Sequence, residues 1–165
     1  MKKGTNTFIH PTAVIGENVT IGDNCIIGPL CIIGYPAEWK GLEHNDIGVT
    51  ILDNVTITGL VTIDSGVNQK TIIGDNCYLM KHSHVGHDAF IGNNVIVSCG
   101  AKIGGHAVIE NDCNIGLNAV VHQKVRIPKG CMIGASAFIG KKTDLNPNRK
   151  YAGVPAKDIG ENIKP

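Results

Sequence analysis

Aromatic side chains are scarce in this sequence: Phe, Tyr and Trp make up 4% of the 165 residues, with a single Trp. Charge is sparse as well, at 18%. Both shortages suit a narrow core filled by aliphatic side chains. No block of Lys and Arg interrupts a formal net charge of +1, so the chain has no electrostatic footprint for nucleic acid or an anionic membrane, and neither partner is expected. No apolar run approaches the roughly 18 residues of a membrane-spanning helix. The basic opening Met1-Lys2-Lys3 is not followed by an apolar segment, so no secretory signal is expected.

Glycine, by contrast, is abundant at 21 residues, and its placement exposes a repeat. From Ile73 an aliphatic residue returns every six positions, at Leu79, Val85, Ile91, Val97, Ile103, Ile109, Ile115, Val121, Ile127, Ile133 and Ile139. At this hydrophobic content such a run arises by chance on the order of once in several tens of thousands of trials. Glycine often follows the aliphatic residue, as in Val85-Gly86, Ile103-Gly104 and Ile115-Gly116. A six-residue unit is too short for a helical hairpin, so each copy must be one short strand and one bend.

The six cysteines fit the same period. Cys25, Cys31, Cys77, Cys113 and Cys131 fall four residues after a repeat aliphatic, in a slot that Val, Ala and Ser occupy elsewhere. They read as buried thiols acting as small hydrophobes, with Cys99 a free thiol outside the slot. Reduced thiols without an export signal point to a cytoplasmic protein.

Phe8-Ile9-His10-Pro11 opens the repeat, which lapses between Ile33 and Ile51. Residues 35–46, including Trp39, are expected to form a projecting loop, the kind of insertion that often carries function. A second irregularity at Asp64-Ser65-Gly66 shifts the register by four before Ile73. Residues 1–148 are therefore expected to form one repeat domain. Residues 149–165 are read as an off-period tail that leaves the repeat, as a short strand or loop lying along it.

Hexads of the form aliphatic-Gly-x-x-small-x resemble those of the hexapeptide acyltransferases. That resemblance implies an all-β fold, a left-handed parallel β-helix shaped as a triangular prism, with three hexads to a coil.

Three hexads per coil place residues eighteen apart one above another, separated by about 4.8 Å. Asp88, His106 and Lys124 then form one column, His87, Gly105 and Gln123 the next, and Gly86, Gly104 and His122 a third. Histidines, a carboxylate, an amide and a lysine converge on one edge that glycines leave open. An isolated His at a bend, such as His10 or His82, is ordinarily a solvated polar residue. A cluster is different. Acyl transfer from a thioester requires the acceptor's proton to be removed as it attacks, work suited to a neutral imidazole near pH 7. An adjacent carboxylate can hold the ring in the useful tautomer. His87 is thus the candidate base and Asp88 its partner.

The run His84-Val85-Gly86-His87-Asp88, with Gly105-His106 and His122-Gln123, resembles the UDP-N-acetylglucosamine O-acyltransferases of lipid A synthesis. The resemblance implies His87 as base and places His84, His106, His122 and Gln123 along the substrate. It puts Trp39 and Asp64 where that family holds its acceptor sugar with other residue types. By position the family's oxyanion-stabilising amide falls on Leu117. The family's helical C-terminal domain has no counterpart in these residues.

The tail Tyr151-Ala152-Gly153-Val154-Pro155-Ala156-Lys157 instead resembles the closing segment of acetyl-CoA-dependent sugar acetyltransferases. That resemblance implies a coenzyme channel near Gly105, Leu117, Ala135, Ser136, Lys141, Lys142, Ala152, Gly153, Pro155 and Lys157. The combined expectation is a cytoplasmic homotrimer with active sites between neighbouring prisms. It would transfer an acyl group, acetyl from acetyl-CoA, to the amine or hydroxyl of a nucleotide-linked sugar. No tightly bound cofactor and no metal are expected. The alternatives are an acyl carrier protein donor, a metal enzyme resembling the γ-class carbonic anhydrases through His82 and His87, and a non-catalytic solenoid.

Overall fold

The computed structural model describes residues 1–38 and 45–163. Trp39, His44 and the middle of the expected loop lie outside the described residues. Elsewhere the chain consists of short strands and tight bends, with no helix among the described residues. Strands three apart in sequence share a sheet, giving three parallel faces of seven, nine and seven strands. Only the last pair in the second face is antiparallel. The architecture is the left-handed parallel β-helix.

The hexad explains each element. Two or three residues suffice for a strand because side chains alternate: the repeat aliphatic points inward and its predecessor outward. On the third face, outward His84, Lys102, Val120 and Phe138 stack in register above inward Val85, Ile103, Val121 and Ile139. The inward residues are fully buried and form one continuous core. Most bends also place one residue in the left-handed region, commonly Asn (Asn24, Asn54, Asn76, Asn94), the non-glycine type that tolerates it best. Asp88, His106 and Lys124 hold this position at the corner between the third and first faces.

The cysteine reading holds. All six thiols are free, and only Cys99 is partly exposed. The Sγ atoms of Cys25 and Cys77 each donate to a carbonyl of another bend at 3.0 Å. Burial pushes the Cys77 thiol up to about 11, so it stays protonated.

Two coils are longer than eighteen residues. Ile21 pairs with Ile51, and Ile51 with Ile73, so the surplus is twelve residues in one and four in the next. Both surpluses fall at the same corner of the prism, and their described residues meet there. Gly48 and Gly66 form an isolated bridge, and Ser65 Oγ accepts from the Gly48 N–H and donates to Asp46 Oδ1.

The tail does not leave the solenoid where its composition suggested. Arg149–Ala152 pairs in parallel with Met132–Ile133, placing Tyr151 opposite Ile133. Tyr151 is completely buried. It stands eighteen residues after Ile133 and is therefore on the period, with an aromatic ring in an aliphatic slot at the end of the core. Leu145, six before it, also packs against the core. Only after Ala152 does the chain turn back, through Lys157–Glu161 running antiparallel. No helix among the described residues is long and apolar enough to cross a membrane.

Candidate active site

The stacking arithmetic places three of the predicted residues in mutual contact. His87 Nδ1 lies 2.6 Å from Asp88 Oδ2, and His106 Nε2 lies 3.7 Å from the same oxygen. The two imidazoles meet edge to face with centroids 5.0 Å apart. Neighbours in sequence can pair here because the left-handed backbone at Asp88 turns its side chain back toward residue 87.

Asp88 is 1% exposed. Burial pushes its carboxyl upward, but the hydrogen bond from His87, the amides of Gln69 and Asn68 and the charge of His106 outweigh it. The carboxyl is held below the usual carboxylate range, so it is ionised at neutral pH and can only accept. His87 must then donate through Nδ1–H, so that whenever the ring is uncharged its basic nitrogen is Nε2. That ring lies over Gly105: a Cβ at Gly105 would stand 2.7 Å from Nε2. The Gly105 N–H meets no acceptor among the described residues.

Donor atoms of His87, Asp88 and His106 lie within 4.8 Å of one another, a spacing that admits a cation. The 2.6 Å separation of Nδ1 and Oδ2 is shorter than the ~3.3 Å expected between two ligands of one tetrahedral zinc with ~2 Å bonds. As arranged, the pair is a hydrogen-bonded dyad.

Two clefts lie along the third face. Toward the N-terminal coils, a cleft of about 820 Å³ is walled by Ile32, Tyr35, Glu38, Asp64, His84 and Lys102, among others. His84 Nδ1 is 2.8 Å from Thr62 Oγ1, and its Nε2 is 3.7 Å from Asp64 Oδ2. That contact is not an ordinary ion pair, because the surroundings push both groups toward their neutral forms. Burial, and then Lys102, lower His84, while burial raises Asp64 to about 6. Toward the C-terminal coils, a cleft of about 750 Å³ is lined by His122, Phe138, Lys141, Lys142, Pro155 and Lys157, among others. His122 Nδ1 donates to the Gln123 carbonyl at 3.0 Å. His87 lines neither cleft; it shares a coil with His84 of the first.

The predicted site residues therefore divide. His87, Asp88 and His106 form the centre, with Gly105 beneath it. His84 and Asp64 belong to the first cleft. His122, Lys141, Lys142, Pro155 and Lys157 line the second, with Gln123 bonded to His122 through its carbonyl. Ala152 and Gly153 lie in the strand and turn that lead to the second cleft. Three more residues lie at a different corner of the prism. Leu117, Ala135 and Ser136 share the corner between the second and third faces, where the Ser136 N–H donates to the Leu117 carbonyl at 2.7 Å. Leu117 lies twelve residues past Gly105, two thirds of a coil, so its amide cannot reach the dyad of the same chain. The amide that does lie there is Gly105. Residues unforeseen from the sequence are Thr71, whose hydroxyl accepts from the Asp88 N–H, and the Val67–Gln69 turn. The four-residue register shift was their only trace.

Comparison with known proteins agrees with this geometry. The family profile "Bacterial transferase hexapeptide (six repeats)" matches residues 4–35 and 70–105. A second, "Hexapeptide repeat of succinyl-transferase", matches 106–121, and together they cover about half of the chain. The acyl-[acyl-carrier-protein]–UDP-N-acetylglucosamine O-acyltransferase of Campylobacter concisus is 36% identical over 98 residues, 50% of this chain and 37% of its own length. The UDP-N-acetylglucosamine acyltransferase structure from Campylobacter jejuni superposes with a TM-score of 0.91 at 31% identity, over 98% of this chain and 63% of that one. The Bacteroides fragilis enzyme does so with a TM-score of 0.85 at 29% identity, over 98% and 70%. The chain thus spans well under two thirds of the curated relative. Its repeat is matched by both profiles and its fold by these enzymes over nearly its whole length, and the chain belongs to the bacterial hexapeptide-repeat transferases.

Proposed function

We propose that the chain is an acyltransferase that moves an acyl group from a phosphopantetheine thioester to the hydroxyl or amine of a nucleotide-linked sugar, with His87 as general base. The observation that carries this is the dyad: a buried carboxylate 2.6 Å from Nδ1 of a histidine that shares a coil with His84 of the first cleft. The acceptor occupies the cleft of Asp64 and His84, and the donor the cleft of Lys141 and Lys142.

In the reaction the acceptor oxygen or nitrogen attacks the thioester carbonyl as its proton passes to His87 Nε2. Asp88 stabilises the imidazolium that forms. The Gly105 N–H, without an acceptor among the described residues, is placed to receive the developing oxyanion. Collapse breaks the carbon–sulfur bond, and the proton on His87 goes to the leaving sulfur. The products are the acylated sugar and a free thiol.

Acyl carrier protein is the donor favoured by the name of the Campylobacter concisus relative and by a structural likeness that extends through the tail. The Gly153-Val154-Pro155-Ala156-Lys157 segment beside two lysines supports coenzyme A instead. We propose further that three copies pack side by side in the cytoplasm, covering outward Ile32, Leu117 and Val120, which are 40%, 51% and 40% exposed. The test is thiol release from a panel of acyl carrier protein and coenzyme A thioesters with UDP-linked sugars, alongside His87→Ala. Transfer that falls by about a hundredfold or more in the variant supports the base assignment; transfer that survives it refutes the assignment.

A further inference from the structure

The two departures from the hexad period sit at the corner that carries the dyad, and the second reaches it directly. The backbone N–H groups of Val67, Asn68 and Gln69 converge on Asp88 Oδ1 at 3.3, 2.7 and 2.7 Å. Gln69 Nε2 donates to the Asp88 carbonyl at 3.0 Å, and the Asp88 N–H donates to Thr71 Oγ1 at 2.9 Å. Thr71 and Ser65 are fully buried. Gly66 makes the turn tight enough, since a Cβ there would stand 1.7 Å from the Gln69 carbonyl oxygen. The turn is braced in its turn: Ser65 Oγ joins Asp46 to the Gly48 amide, and Asp46 Oδ2 accepts from Asn18 Nδ2 at 3.1 Å.

An eighteen-residue coil would have no surplus residues to supply three amides at this point. One carboxylate oxygen is saturated by backbone donors, so the other is committed to His87 and, behind it, His106. A carboxylate free to rotate would divide itself among these donors and leave the imidazole tautomer unspecified.

We propose that the lengthened coil is the positioning element of the base: Gly66–Gln69 and Thr71 fix Asp88, and through Asp88 they fix the Nδ1–H tautomer of His87. They are positioning residues, since none touches the reacting atoms. The catalytic part of this inference rests on the reading of His87 as base, whereas the tautomer can be measured whether or not that reading holds.

The experiment uses the full chain and three variants. Thr71→Val removes the acceptor of the Asp88 N–H, Thr71→Ser restores it, and Asn68→Pro removes one amide donor. Imidazole 15N shifts, with His87 assigned by its loss in His87→Gln, report the tautomer. The expected result is a single Nδ1–H form in the native chain and in Thr71→Ser, and a mixture in Thr71→Val and Asn68→Pro, each still folded by thermal melting. In the transferase assay kcat falls by about tenfold to a hundredfold with KM little changed. That loss disappears when Thr71→Val is combined with Asp88→Ala, because both act through one carboxylate. A single tautomer in every folded variant overturns the proposal. If no donor supports transfer but the tautomers mix as expected, the reading of the enzyme fails and the positioning stands. Should Asn68→Pro not fold, the Thr71 pair decides alone.

Discussion

The imidazole of His87 occupies the space in which residue 105 would carry a side chain: a Cβ on Gly105 would stand 2.7 Å from Nε2 and 3.0 Å from both neighbouring ring carbons. The ring cannot swing aside freely, because its other nitrogen is bonded to a buried carboxylate. Gly105→Ala should therefore push the base off its geometry while leaving the solenoid intact. The expected outcome is a fall in kcat of about a hundredfold with a melting temperature close to native. Parallel calorimetry and steady-state kinetics check it.

Asp64 should make stability depend on pH in an unusual direction. Burial raises its carboxyl to about 6, the charge on His87 opposing this and Glu38 adding to it. With the folded value above the unfolded one, the folded chain binds more protons than the unfolded chain between about pH 4 and 6, so stability falls as pH rises through that window. The full shift corresponds to about 3 kcal/mol. Asp64→Asn should be more stable than the native chain at pH 7, with the gap closing below about pH 4. Denaturant melts across that range test it, and a gap independent of pH would refute the assignment.

Lys141 and Lys142 line the second cleft beside Pro155 and Lys157. If phosphate groups of the donor lie there, replacing both lysines with Ala should raise the donor KM by about tenfold, leave kcat nearly unchanged, and reduce the salt dependence of kcat/KM. The acceptor KM should not move. Kinetics with each substrate varied in turn distinguish the two clefts.

Tyr151 closes the core at its C-terminal end, and its hydroxyl accepts from the Asn146 N–H at 2.6 Å. Tyr151→Ala should cost about 3–5 kcal/mol through the cavity it opens. Tyr151→Phe should cost about 1 kcal/mol, the penalty of an amide left without its partner. Chemical denaturation of both variants checks this.

Much of this molecule was legible before the structure. The six-residue return of Ile, Val and Leu identified every inward position of the long run, and the small slot explained five of six cysteines. Eighteen-residue arithmetic brought His87, Asp88 and His106 together although they are spread over two coils. The same arithmetic applied further would have kept Tyr151 in the solenoid, eighteen past Ile133. A search for aliphatic residues passed over it because the slot holds an aromatic ring and the preceding hexad is polar apart from Leu145. Leu117 stands apart from the dyad of its own chain for a related reason. Alignment to a family motif ignores which corner a residue occupies, while counting twelve residues from Gly105 shows that it sits at another.

A strict repeat is a fixed operation applied again and again, so the sequence by itself determined which side chains face inward and which residues stack, wherever the period is unbroken. The tertiary structure alone decided what the period does not govern. The surplus residues after Ile33 and Ile63 have no register to obey. Where they are described, their conformation follows from contacts among Asn18, Asp46, Ser65 and Gly66, and from the buried carboxylate of Asp88, which must find donors. The three amides that hold Asp88, and through it orient His87, exist because of those contacts, and no spacing in the sequence encodes where they point.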